Sequence, residues 1–133
     1  MLTEDTIAAI STPPGEGAVA VIRISGPEAH AICGRIFRGR KPVGAMTART
    51  LSFGVFHDGD ERIDEGLLAV FPAPRSYTGE AMAELHCHGG VLVAARVLEA
   101  VLSAGARPAD PGEFTRRAFL NGKMDLTQAE AVM

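Results

Sequence analysis

Residues 18–25, AVAVIRIS, constrain the fold more than any other stretch. Alternating β-branched and small apolar residues read as a β-strand. The near-continuous apolar run predicts a strand covered on both faces. Side chains alternate along a strand, so Arg23 shares a face with Val19, Val21 and Ser25. A guanidinium inside such a run is costly unless paired. Arg23 therefore requires an anion, either a carboxylate from elsewhere in the fold or a ligand.

A second strand, AMAELHCH at 81–88, offers the carboxylate. Met82, Glu84, His86 and His88 fall on one face, and Ala83, Leu85 and Cys87 on the other. An Arg23–Glu84 pair would either brace the sheet or receive a ligand. Glu84, His86 and His88 also compose a possible metal set, because H-x-H on a strand can direct two imidazoles at one ion. His30 and His57 have no spacing that nominates them as further ligands.

The remaining elements frame these two strands. DTIAAIST at 5–12 reads as a strand, separated from 18–25 by a turn at Pro13, Pro14, Gly15 and Gly17. Ser25 or Gly26 can cap a helix whose first turn holds Pro27 and whose apolar stripe is Ala29, Ile32, Cys33 and Ile36. Residues 49–58 and 63–73 flank GDER as a hairpin, and 74–79 is a loop. A helix over 91–102 carries the stripe Val91, Ala94, Ala95, Leu98, Val101 and Leu102, and ends at Gly105. Strands and helices do not alternate regularly, which predicts an α+β fold, a mixed sheet with helices packed on it.

The C-terminal stretch PGEFTRRAFLNGKMDLTQAEAV, 111–132, predicts two helices. The first starts at Pro111-Gly112 and ends at Asn121-Gly122. Asp125 and Gln128 have the spacing of a capping box, so a second helix begins there. Lys123 lies in the tight link, where it is either a solvated side chain or a cation held for an anionic ligand. The apolar positions Leu126, Ala129, Val132 and Met133 lack a partner, which suggests that this chain is the front piece of something longer or docks on another subunit.

Composition excludes several classes. With 133 residues and a net charge of −3, the chain suits one domain and shows no bulk nucleic-acid character. RIFRGRK at 35–41 holds four basic residues, readable as a solvated loop at a helix end or as a phosphate-contacting patch. Two cysteines, Cys33 and Cys87, make no disulfide framework, and MLTEDTIAAI shows no signal-peptide pattern; both predict a reduced, cytoplasmic protein. No stretch reads as membrane-spanning. No G-x-S-x-G nucleophile is present, and NGKM lacks the Ser or Thr of a P-loop.

Three blocks carry a resemblance: DTIAAISTPPGEGAVAVIRISGP, SYTGEAMAELHCHGG and RPADPGEFTRRAFLNGKMDLTQAEAV. Together they resemble the N-terminal domain of the MnmE (TrmE) tRNA-modification GTPases. The resemblance runs from end to end, least distinctively over about 30–65. It implies that 1–122 is a folate-binding and dimerisation domain. It implies too that 123–133 starts a central helical domain into which a GTPase domain is inserted. GTP, magnesium and potassium would belong to that GTPase domain. The family resembles the folate-binding domains of one-carbon enzymes, binding a 5-formyl- or 5,10-methylene-tetrahydrofolate near a homodimer interface. The full protein works with the flavoprotein MnmG (GidA) on C5 of the wobble uridine of tRNA. The folate contacts it implies are Arg23, Glu84 and Lys123, with Tyr77, Phe114 and Phe119 as candidate walls for the pterin. A family glycine stands where this chain has Cys87, so Cys87 is assigned no chemistry. Arg116, Arg117 and the 35–41 cluster are the only hints of a tRNA contact.

Overall fold

The computed structural model describes residues 5–13 and 18–132. The turn expected at 13–17 therefore falls, from Pro14 to Gly17, outside the described residues. Seven strands form one mixed sheet: β1 (Ile7–Ile10), β2 (Val19–Ser25), β3 (Phe37–Gly39), β4 (Ser52–Asp58), β5 (Glu61–Phe71), β6 (Met82–His88) and β7 (Arg107–Pro108). Their order is β3-β4-β5-β6-β2-β1-β7. Only the β1–β7 pairing is parallel. Four α-helices accompany it: α1 (Ala29–Ile36), α2 (Val91–Ser103), α3 (Glu113–Leu120) and α4 (Leu126–Val132). This is the α+β architecture expected from the irregular order of elements. No helix is long and apolar enough to cross a membrane.

Helices α1 and α2 cover one sheet face. Ile22, Ile24, Leu68, Ala83 and Leu85 from the sheet meet Ile32, Cys33, Val97 and Val101 from the helices in one buried cluster. Burial of such side chains is worth about 1.5–3 kcal/mol each. The opposite face is more open, and here the expectation for β2 needs correcting. Its burial alternates, with Val19 exposed and Val21 and Arg23 only half-buried, so the strand is covered on one face rather than two. Antiparallel neighbours left Arg23 a partly solvated face, and its charge does not sit in a dry core.

Two helices also differ from their sequence pattern. The buried residues of α2 are Ala94, Val97, Ala100 and Val101, while Val91 is 65% exposed and Ala95 is exposed. That helix is apolar nearly all round, so periodicity alone did not choose the face; contact with the sheet did. Helix α1 buries the expected Ala29, Ile32, Cys33 and Ile36. Its cap is not Ser25 or Gly26, however: the Glu28 N–H donates to Thr6 Oγ1 at 2.9 Å.

The hairpin turn is tighter than expected, because β5 begins at Glu61 and leaves Gly59 and Asp60 to close it. Strand β3 and the two-residue β7 arise where the sequence showed no strand pattern; both are sheet edges held by backbone pairing. At the C-terminal end the capping box is complete. Asp125 N–H donates to Gln128 Oε1 at 2.8 Å and Gln128 N–H donates to Asp125 Oδ1 at 2.7 Å. Gly122 takes a positive φ of 75°, and the Lys123 N–H returns to the Ala118 carbonyl at 2.8 Å, closing α3 in the expected way.

Candidate functional site

β2 and β6 pair so that Arg23 stands directly opposite Glu84. Arg23 Nη2 lies 3.3 Å from Glu84 Oε2. The second carboxylate oxygen, Oε1, lies 3.4 Å from His86 Nε2. Both contacts are long for charge-assisted hydrogen bonds, which favour 2.7–2.9 Å. Arg23 and Glu84 keep 29% and 26% of their side-chain surface exposed. Arg23 Nε is buried and has no hydrogen-bond partner among the described residues. The pair is thus adjacent yet loosely engaged, with acceptor and donor capacity left over.

Two aromatic rings stand over the guanidinium. Its carbon is 5.6 Å from the centroid of Tyr77 and 6.0 Å from that of Phe114. The Tyr77 hydroxyl is pinned to Thr115 Oγ1 at 2.8 Å, so loop 74–79 and α3 are joined above this end of the sheet. Phe119, the third ring expected, makes no such contact with Arg23 and is 37% exposed on α3.

Lys123 contacts the same loop. Its Nζ donates to the Pro74 carbonyl at 3.2 Å. Its stem lies against Gly79, where an added Cβ would come within 3.2 Å of Lys123 Cγ. Asn121 ties the end of α3 to the loop by donating to the Thr78 carbonyl at 2.9 Å. Lys123 and Arg23 thus both contact the 74–80 segment, and Glu84 meets it only through Arg23.

That segment rests on an ion-pair network that spacing did not reveal. Arg117 is 1% exposed, and its guanidinium meets Glu80, Asp5 and Glu113 at 3.1, 2.6 and 3.3 Å. Arg107 holds Asp5 and Glu113 from outside, at 2.5 and 2.7 Å. The N–H groups of Arg107 are the largest cause that lowers Asp5 to about 2, with Arg117 assisting against the opposing effect of burial. The same Arg107 bonds, with the Asp110 N–H, hold Glu113 at about 2 despite its burial. Glu80 further accepts a bond from Ser25 Oγ at 2.7 Å, and Ser25 Oγ also meets Thr78 Oγ1 at 2.7 Å. Arg117 is therefore buried architecture and not the tRNA-facing cation that the Arg116–Arg117 pair suggested. The Glu113–Arg117 spacing of four on one helix was the signal for it.

The metal alternative loses its third member. His88 turns to Asp64 on β5, with Nδ1 3.0 Å from both carboxylate oxygens. Among the described residues no group of three or more His, Cys, Asp or Glu side chains is placed to hold a metal ion. Cys87 is buried, its thiol pushed up to about 11 chiefly by burial and then by the Asp64 charge, and it donates to the Ala20 carbonyl at 3.7 Å. Burial alone pushes the Cys33 thiol to about 12. Neither is a nucleophile at neutral pH.

Comparison with known proteins covers nearly the whole chain. The family described as "GTP-binding protein TrmE N-terminus" matches residues 6–123. The tRNA modification GTPase MnmE of Symbiobacterium thermophilum is 56% identical over 133 residues, covering 98% of this chain and 29% of that protein. That of Chlamydia caviae is 54% identical over 132 residues, covering 99% of this chain and 29% of its own length. That of Geobacter metallireducens is 53% identical over 135 residues, 100% of this chain and 30% of the relative. The chain thus spans less than a third of the length of these relatives. A match over most of the chain, with identity above one half to such relatives, means that the chain belongs to the TrmE N-terminal family.

Proposed function

We propose that the corner formed by Arg23, Glu84, Tyr77, Phe114 and Lys123 binds a one-carbon tetrahydrofolate. The observation that carries this reading is the loose Arg23–Glu84 pair beneath two aromatic rings. A bracing pair would be short and bidentate, as the Arg107–Glu113 contacts are at 3.0 and 2.7 Å. Glu84 instead offers a half-buried carboxylate on the more open sheet face, suited to the adjacent N–H and amino donors of a pterin edge. Tyr77 and Phe114 supply flat apolar surface. The orphaned Arg23 Nε and the exposed Lys123 ammonium suit the carboxylates or carbonyl oxygen of the ligand. The folate, when bound, would supply a one-carbon unit; the chain's own residues hold and orient it.

The same reading extends to the longer protein. This domain pairs as a homodimer, for which exposed Val19 and half-buried Val21 and Leu67 offer apolar surface on the more open sheet face. With the flavoprotein MnmG it supports carboxymethylaminomethyl-type modification of C5 of the wobble uridine in tRNA, in the cytoplasm. GTP hydrolysis, with magnesium and potassium, belongs to a GTPase domain beyond residues 123–133, which start the helical domain. The relatives are named tRNA modification GTPases, and that supports the coarser part of this reading.

The test is calorimetric titration with 5-formyltetrahydrofolate. Saturable binding by the chain is expected, with loss in Glu84→Ala. Removing the acceptor of a charge-assisted contact should weaken binding by about 1.5–3 kcal/mol, roughly 10- to 150-fold. Binding of equal strength in the variant would remove Glu84 from the site.

A further inference from the structure

We propose that the cleft walled by the end of β3, the 40–50 connection and the start of β4, on the opposite edge of the sheet from β1 and β7, is a binding site for the sugar-phosphate backbone of RNA. The cleft has a volume of about 570 Å³, and Arg40, Lys41, Thr47, Thr50, Ser52 and Phe53 are among its lining residues. No carboxylate lines it. It is larger than a single small anion needs.

The charge distribution singles out this corner. Of thirteen lysines and arginines, seven have a carboxylate partner among the described residues. Arg35 leaves the 35–41 cluster in this way, turning to Glu28 at 3.7 Å and to the Ala104 carbonyl at 2.6 Å. Arg38, Arg40 and Lys41 are exposed and unpaired with any carboxylate among the described residues. Arg49, between Thr47 and Thr50, also has no carboxylate partner among the described residues and donates to the Arg75 carbonyl at 3.1 Å. The net charge of −3 is that of the whole chain, yet four cations without a carboxylate partner among the described residues gather at this edge.

The cleft is also built rather than incidental. The Arg49 N–H is bonded to the Val70 carbonyl at 3.0 Å, and Thr50 Oγ1 to the Thr47 carbonyl at 2.8 Å, so the 47–50 wall is fixed. Hydroxyls and cations together are the groups that contact phosphates. Phe53 is 61% exposed at the rim of the cleft, opposite Leu67 on the neighbouring strand. The choice of RNA over other polyanions rests on the tRNA-modification reading above; the site itself does not involve the folate corner.

The experiment is fluorescence anisotropy of a labelled tRNA with the 133-residue chain across a series of KCl concentrations. Binding should weaken steeply with salt. Arg40→Glu with Lys41→Glu should weaken it at least about tenfold and lower the slope of log affinity against log salt by about two phosphate contacts. The double variant should keep the parent's urea midpoint by circular dichroism, which separates a lost RNA site from a lost fold. Failure of the parent chain to bind folate would sink the earlier reading and leave this one standing. The proposal is overturned if the parent chain does not bind tRNA at low salt. It is equally overturned if the double variant matches the parent in affinity and slope, or if inorganic pyrophosphate competes as effectively as tRNA per phosphate.

Discussion

Arg117 Nη1 lies 3.1 Å from Glu80 Oε1, and this contact joins α3 to the loop that carries Tyr77. Glu80 in turn takes the Ser25 hydroxyl at the end of β2, two residues from Arg23. The buried pair thus transmits the position of α3 to the sheet surface on which Arg23 and Glu84 stand. Removing Arg117 takes a buried cation from Asp5, Glu80 and Glu113, although Arg107 still holds Glu113. Arg117→Met should lower the unfolding free energy by about 3–5 kcal/mol, read from urea midpoints by circular dichroism. A loss below about 1 kcal/mol would show that the network is not structural.

The same network predicts acid lability. Asp5 is held at about 2 against an ordinary 3.8, and Glu113 at about 2 against 4.5. Depressed carboxylates contribute stability that is fully present above their unfolded values and is lost as pH falls through the folded ones. The urea midpoint should therefore fall steeply between about pH 4.5 and 2. In Glu113→Gln the decline should be shallower from a lower starting midpoint. A parallel decline in both proteins would assign the acid sensitivity elsewhere.

His88 reports on the end of the β5–β6 pair in the opposite sense. The Asp64 carboxylate raises the His88 pKa above the ordinary 6.5, first by its hydrogen bond and then by its charge. Burial pushes Asp64 up, but the His88 N–H and ring outweigh it and hold that carboxyl down. The ion pair is complete below the ordinary histidine value and is lost as pH rises through the raised one. In an NMR titration of the ring protons, Asp64→Asn should return His88 toward its ordinary midpoint. An unchanged midpoint would mean that the pair does not form in solution.

Gly66 is required by contact. A Cβ there would come within 2.1 Å of the His86 carbonyl oxygen and 2.7 Å of Phe56 Cε2. Backbone cannot yield as a flexible side chain does, so β5 and β6 would have to separate. Gly66→Ala should cost about 1–3 kcal/mol by chemical denaturation. It should also disturb the His86–Glu84 contact, visible as a shifted His86 ring resonance. Wild-type stability together with an unmoved resonance would contradict the close approach.

Much of this protein is determined by local sequence. Period-two alternation placed Arg23 and Glu84 on strands, and the helix caps at Gly122 and Asp125 placed Lys123 in a tight link, because these signals depend on neighbours within a few residues. The α+β class followed from the order of such elements. Register, in contrast, is a long-range property. Only the pairing of β2 with β6 sets Arg23 opposite Glu84, sixty-one residues apart. Only the packed fold sends His88 to Asp64 rather than toward Glu84, buries Arg117 while leaving Arg40 and Lys41 in solvent, and turns α2 onto Val97. Strands β3 and β7 exist because backbone groups at a sheet edge find partners, whatever their side chains. Local pattern specifies which residues can carry charge to a surface. Burial and distance decide which charges are spent on one another and which remain for a ligand, and those quantities exist only once the chain has closed on itself.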